Sequence, residues 1–274
     1  MACVRNLDNE EFRISIVVEA KRSFALHVYV EFKSKKEKIM KKEIEKINTL
    51  LIKEFGIPPR NPNKTTPLDA LLGTILSQNT NDTNSFKAYT NLKNFSSSWE
   101  DVEKLPLMKL EKLINVAGLG FQKATAIKKV LSYLKKERGI LSLDYLVDNS
   151  DEEILTELTS FQGVGLKTAS CVLLFSLERN VCPVDTHVHR TLNRIGIVKT
   201  SSPDKTFLAI KDFLPEKSAH TFHTNLIRLG RAICKPAKPG CAVCPLLKIC
   251  SYEQKNLEKG KAVTKRDFML LDNL

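Results

Sequence analysis

The sequence predicts a mainly α chain with an extra β-hairpin at its N-terminal end, on three observations. From Ile39 onward apolar residues recur at helical spacing, and glycines, prolines and polar runs cut them into short segments. Period-two alternation is confined to the stretch before Lys33, and no later segment reads as a strand. The chain has 274 residues and 42% hydrophobic content, enough for a packed core in two moderate domains or one large one.

Taken in order, residues 12–18 and 24–32 carry apolar side chains at the even positions (Phe12, Ile14, Ile16, Val18, then Phe24, Leu26, Val28, Val30, Phe32). A polar turn near Lys21-Arg22 would join them into a hairpin, and a lone hairpin needs a surface to dock on. Lys33 to Lys38 reads as a charged linker. Ile39, Ile44, Ile47, Leu50, Leu51 and Phe55 share one helical face, which Gly56 and Pro58-Pro59 end. After a loop from Asn61 to Pro67, Leu68 to Ser77 reads as a buried helix that stops before the polar run Gln78-Asn79-Thr80-Asn81-Asp82. Further helices are expected at about 82–93, 99–104, 107–115, 122–136, 151–159, 166–177, 186–194, 204–212 and 218–232.

Charge points to a class of partner. There are 43 Lys+Arg against 31 Asp+Glu, a net charge of +12, which favours a polyanion and most simply nucleic acid. No run of eighteen apolar residues indicates a membrane span, so no membrane partner is expected. The start lacks the basic-then-apolar pattern of a signal peptide. The expected location is therefore intracellular, in cytoplasm or nucleoid, or in the nucleus of a eukaryote, and the expected state is a monomer. Seven cysteines in such a compartment do not imply a disulfide framework.

Four motifs carry chemistry. Gly163-Val164-Gly165 lies between two helical segments, where glycines permit a tight turn and free N–H groups at the next helix start favour a phosphate. The plainer alternative is a glycine turn between packed helices. A looser turn, Gly118-Leu119-Gly120, precedes Lys123 and another helix. The second motif is Lys167 with Asp185: an amine is a nucleophile, and a carboxylate stabilises positive charge beside it. Asp185 also stands where a helix N-cap belongs, which is a sufficient structural role. The third is Cys234, Cys241, Cys244 and Cys250, spaced C-x6-C-x2-C-x5-C. Four thiols so close together imply metal, as zinc or an iron–sulfur cluster, and a single Cys-x-x-Cys knuckle leans towards the latter. Lys235 and Lys238, on the loop between the first two of these cysteines, are candidate phosphate contacts. The fourth is Gln78 with Asn79, either a helix cap or amides directed at a DNA groove. Cys171, in an apolar run, reads as core.

Together these motifs resemble endonuclease III, of the helix-hairpin-helix DNA glycosylase superfamily. The resemblance rests on Leu76-Ser77-Gln78-Asn79-Thr80, Gly118 to Ala124, Gly163 to Ala169, Val184 to Arg190 and the four cysteines, over roughly 39–255. It implies a two-lobed fold: a six-helix barrel over 59–180, and an iron–sulfur lobe made of 37–58 and 181–274, with 1–36 an extension. It implies a [4Fe–4S] cluster on the four cysteines. The implied partner is double-stranded DNA containing a damaged base or an abasic site. Lys167 then matches the lyase nucleophile, Asp185 the catalytic aspartate, Gln78 the side chain filling the gap left by a flipped base, and Leu119 a wedge on the opposite strand. The implied activity is base excision of an oxidised pyrimidine, followed by strand cleavage by β-elimination through a lysine Schiff base. Phe161-Gln162 stands where the family has Leu-Pro, and Gly120-Phe121 replaces an aromatic–amide pair. These departures leave room for a mismatch uracil or thymine glycosylase or an 8-oxoguanine glycosylase. A non-catalytic iron–sulfur DNA-binding protein, and a zinc protein that binds RNA, are readings from other classes.

Overall fold

The computed structural model describes residues 37–258 and Leu271. The hairpin expected within 1–36 lies outside the described residues. Helix α1 covers 37–55. It is followed by α2 (Pro67–Ser77), α3 (Asp82–Phe95), α4 (Trp99–Lys104), α5 (Leu107–Ile114) and α6 (Gly120–Arg138). Then come α7 (Asp151–Ser160), α8 (Leu166–Phe175), α9 (Thr186–Ile195), α10 (Pro203–Ile210) and α11 (Ala219–Ala232). No strand occurs among the described residues.

Local chemistry sets most helix starts. Thr66, Asn81, Ser98, Ser150 and Ser202 each accept a backbone N–H of the following turn, and Ser150 forms a reciprocal capping box with Glu153. Helix α2 is buried from Pro67 to Leu76 except at Asp69, as its nearly uniform apolar sequence requires. Helix α8, buried from Thr168 to Leu174, packs against it, and these two helices form the centre of the bundle α2–α8.

Helix α10 packs on α9 and α8, and α9 packs on α11, which is buried from Ala219 to Gly230 except at Thr221. Helix α9 crosses it at Gly230, where a Cβ would lie 2.8 Å from the Cβ of His187, so only glycine permits this approach. Helix α1 is tied to the same helix at its end: Asn225 Nδ2 donates to Gly56 O (2.9 Å) and Arg228 Nη1 to Phe55 O (3.3 Å). A bridge from Arg231 to Asp82 (2.6 Å) joins α11 to the start of α3.

Several helix boundaries move by up to two residues from the expected ones, among them the ends of α3, α6 and α8 and the start of α1, and two shifts have a local reason. Helix α6 begins at Gly120, two residues before its apolar pattern does, because Leu119 supplies the turn. The helix expected over 204–212 stops at Ile210 and tightens into a 3-10 turn at Lys211–Phe213, which periodicity does not reveal.

One connection matters for function. Between α8 and α9, Val181, Cys182, Pro183 and Val184 run without helix and are all buried. Helix α8 has ten residues, about 15 Å of rise, and carries Lys167 at its beginning. The extended return brings the chain back from the far end of α8 to Asp185.

Candidate active site and nucleic-acid interface

The hairpin before α8 is built by two glycines with different reasons. Gly163 has φ +87°, a conformation that side chains rarely adopt. Val164 N–H closes the turn onto Phe161 O (3.0 Å), and Phe161 stands edge-on to Tyr133 at 5.1 Å. Gly165 has an ordinary φ of −94°, and a Cβ built there meets nothing within 4 Å. Among the described residues, neither conformation nor packing demands glycine at Gly165. As N-cap it has no side chain to offer, and α8 starts with no side-chain cap. The surface is thus bare where helix N–H groups point outward. Val164, expected to contact DNA, has a buried side chain and an engaged N–H, so the donors on offer belong to the first turn of α8 instead.

Lys167 is the second residue of α8 and is half-buried. Asp185 is the N-cap of α9, where its Oδ1 accepts the Val188 N–H at 2.8 Å. A carboxylate has a second oxygen, so capping leaves it able to act elsewhere. The two groups converge electrostatically. Burial pushes the Cys171 thiol up, the Lys167 ammonium pulls it back down, and the Asp185 carboxylate pushes it up again. Burial likewise pushes His223 down to about 4, with Asp185 opposing and Lys167 reinforcing. Both charges therefore bear on the same buried thiol and the same ring. His223 is fixed by a 2.8 Å hydrogen bond between Nδ1 and Pro183 O, two residues before Asp185. His189, which flanks Asp185 in sequence, instead turns to Thr206 Oγ1 (2.7 Å) on α10. His223 escaped the sequence reading because it lies deep in an otherwise well-packed helix.

Gln78 is the C-cap of α2, and its side chain lies on the hairpin: Nε2 donates to Gly163 O (2.9 Å) and Thr168 Oγ1 (3.3 Å). Asn79 (φ 51°) and Leu119 (φ 50°) both adopt the left-handed region. Asparagine tolerates it, whereas a leucine held there costs roughly 1–2 kcal/mol. Leu119 is 47% exposed and Phe121 56%, so two large apolar side chains project from one turn.

The four cysteines surround one another beyond the end of α11. Burial pushes the Cys244 thiol up to about 11; the Leu246 backbone opposes this, and Cys234, Cys250 and Cys241 add to it. Among the described residues, no three His, Cys, Asp or Glu side chains converge closely enough to hold a single ion. Lys235 and Lys238 are exposed on the intervening loop, and Lys238 has φ 47°. Helix α9 holds that loop by two arginines the sequence reading overlooked. Arg190 Nε donates to Cys234 O (3.0 Å), and Arg194 donates to Lys235 O (2.7 Å) and Pro236 O (2.9 Å). The helix that Asp185 caps is thereby fastened to the cysteine loop.

A glycine hairpin with an uncapped helix behind it, a lysine and a carboxylate sharing one environment, and a separate sulfur cluster define a helix-hairpin-helix DNA-repair architecture. Residues 72–216 match the HhH-GPD superfamily of base excision DNA repair proteins, and the chain belongs to that superfamily as an endonuclease III-like member. It is 34% identical over 212 residues to endonuclease III of Thermotoga maritima, covering 77% of this chain and 94% of that protein. It is 39% identical over 196 residues to an Arabidopsis thaliana protein provisionally named a DNA glycosylase, covering 71% of this chain and 61% of that one. The chain spans about half the length of two chloroplastic endonuclease III homologues of the same plant. Among solved structures, a non-covalent complex of endonuclease III with DNA superposes with a TM-score of 0.66 at 26% identity, covering 77% of this chain and 95% of that one.

Proposed function

We propose that this chain is a DNA glycosylase with AP lyase activity, acting on an oxidised pyrimidine in double-stranded DNA. The observation that carries the reading is the convergence of Lys167 and Asp185 on Cys171 and His223. In this reading the first turn of α8 receives a backbone phosphate at Gly165, and the target nucleotide leaves the stack. Asp185 stabilises positive charge on the sugar as the glycosidic bond breaks. The base departs with the glycosidic electron pair and takes up a proton, the neutral Lys167 amine forms a bond to C1′, and transfer of a proton from that nitrogen to O4′ opens the sugar ring to the Schiff base. Transfer of a C2′ proton to water then expels the phosphate from C3′ with the C–O electron pair and nicks the strand. Gln78 leaves the hairpin to fill the vacated space, and Leu119 enters from the opposite strand. The pyrimidine preference is the one that the sequence resemblance to endonuclease III implies.

The all-sulfur donor set, in which Cys244 lies in the field of the other three thiols, has the chemistry that would hold a [4Fe–4S] cluster through Cys234, Cys241, Cys244 and Cys250. Bound there, it would supply shape to the loop that carries Lys235 and Lys238. We further propose the division into a barrel lobe, 59–180, and a lobe of 37–58 with 181–274, because α1 is bonded to α11 at its end.

Borohydride trapping on duplexes carrying an abasic site, thymine glycol, uracil, a G·T mismatch or 8-oxoguanine tests the reading. A covalent adduct that disappears in Lys167→Ala supports it, with thymine glycol giving the strongest yield among the modified bases. No adduct on any duplex would favour a non-catalytic DNA-binding protein.

A further inference from the structure

The proposed chemistry gives no task to Lys123, which follows the first of the two glycine turns. It is only 2% exposed, in the first turns of α6. Its Nζ donates two hydrogen bonds of 2.8 Å, one to Leu76 O and one to Ala117 O. Leu76 lies near the end of α2, two residues before Gln78 and three before Asn79. Ala117 ends the 3-10 turn Asn115–Ala117, two residues before Leu119. The backbone N–H of Lys123 also donates to Leu119 O (3.0 Å). One side chain therefore fastens the bases of two loops whose tips, Asn79 and Leu119, both stand in left-handed conformations.

Burying an ammonium against neutral carbonyls costs free energy that an aliphatic side chain would avoid. An aliphatic residue, however, would leave two buried carbonyls at two helix ends without this donor. Burial also pushes the Lys123 amine down to about 8, and in either protonation state it keeps at least the two N–H donors these carbonyls require. A surface-capping lysine would satisfy one helix and extend its stem to water; this one bridges two segments that are far apart in sequence.

We propose that Lys123 is a positioning residue for duplex opening, holding the Gln78 loop and the Leu119 loop at a fixed separation so that both enter the DNA together. The proposal rests on the glycosylase/lyase reading. It predicts a split between substrates. A single-stranded abasic oligonucleotide needs no opening, whereas a duplex needs both loops.

The test is the rate of borohydride trapping by full-length Lys123→Met on the same abasic site in single-stranded and in duplex form. The expected result is an unchanged rate on the single strand and a loss of about 10- to 100-fold on the duplex, the scale of a small misplacement of a functional group. Lys123→Met combined with Leu119→Ala should be no slower on the duplex than the slower single variant, because both remove the same element. Equal losses on both substrates, or full multiplication of the two duplex losses, would overturn the proposal. Should Lys123→Met not fold, the unaltered protein with 15N-labelled lysine provides a second reading. Its Lys123 Nζ protons should stay protected from exchange when a duplex with a stable abasic analogue binds, and loss of protection on binding would overturn it. Absence of any adduct from the unaltered protein on either substrate would remove the parent reading and this one with it.

Discussion

Two turns in this molecule share one local pattern and give their lysines opposite fates. Gly118-Leu119-Gly120 leads into α6 and Lys123; Gly163-Val164-Gly165 leads into α8 and Lys167. Both helices begin without a side-chain cap. Lys123 is enclosed and bonded to two carbonyls, whereas Lys167 is half-buried in the field of a carboxylate. The difference is one of register. Lys123 is the fourth residue of its helix and Lys167 the second. Each residue step turns a side chain by about 100°, so the two amines leave their helices on different faces. Half of that shift is in the sequence, since Lys123 follows its second glycine by three residues and Lys167 by two; the other half is where the helix starts, at Gly120 in one turn and after Gly165 in the other.

The largest effect that would sharpen this contrast is at Asp185, the partner Lys123 lacks. Asparagine is as good an N-cap as aspartate, so Asp185→Asn should keep α9 and the melting temperature while slowing base release by about 100- to 1,000-fold in single-turnover assays. Unchanged base release would confine Asp185 to its cap.

The glycines of the hairpin give the next contrast. Gly165→Ala should leave stability within about 0.5 kcal/mol, since the new Cβ meets nothing, yet weaken binding to any duplex by about tenfold regardless of lesion. Gly163→Ala should instead cost about 1–2 kcal/mol in denaturant unfolding, because its φ of +87° strains an alanine. Equal behaviour of the two variants in binding and unfolding would erase the distinction between a glycine needed by the fold and one needed by a ligand.

The last contrast concerns pH and reads stability alone. The Lys123 amine is pushed from 10.5 to about 8 on folding, so between those values the unfolded chain holds more protons than the folded one, and stability rises with pH. The cost of burying the cation is in full force below pH 8 and relieved by pH 10.5. The unaltered protein should therefore gain up to roughly 3 kcal/mol relative to Lys123→Met across that window in chemical denaturation. Parallel pH profiles would mean that the two carbonyls hold the ammonium charged throughout.

Helices were legible in the sequence wherever caps and apolar spacing agree: the expected 99–104 and 151–159 fall on α4 and α7, each opened by a serine cap. The 3-10 turns at Asn115–Ala117, Asp144–Asp148 and Cys241–Val243 were not legible, since three to five residues are too few to establish a period. Lys167, Asp185 and the four cysteines could be picked out because their chemistry is tied to short local motifs. The brace at Lys123, the arginines gripping the cysteine loop and the ring of His223 depend on carbonyls distant in sequence, which no local pattern specifies. The Gln78 amide shows both kinds of information in one residue: its capping position follows from its neighbours, its contact with Gly163 O from the tertiary fold.

The central claim is that one of two similarly placed lysines is the nucleophile. Borohydride-trapped protein on an abasic duplex, digested and mapped by mass spectrometry, tests it directly. The sugar remnant should be found on Lys167, with Lys123 unmodified. An adduct on Lys123, or one that leaves Lys167 unmodified, would contradict the account.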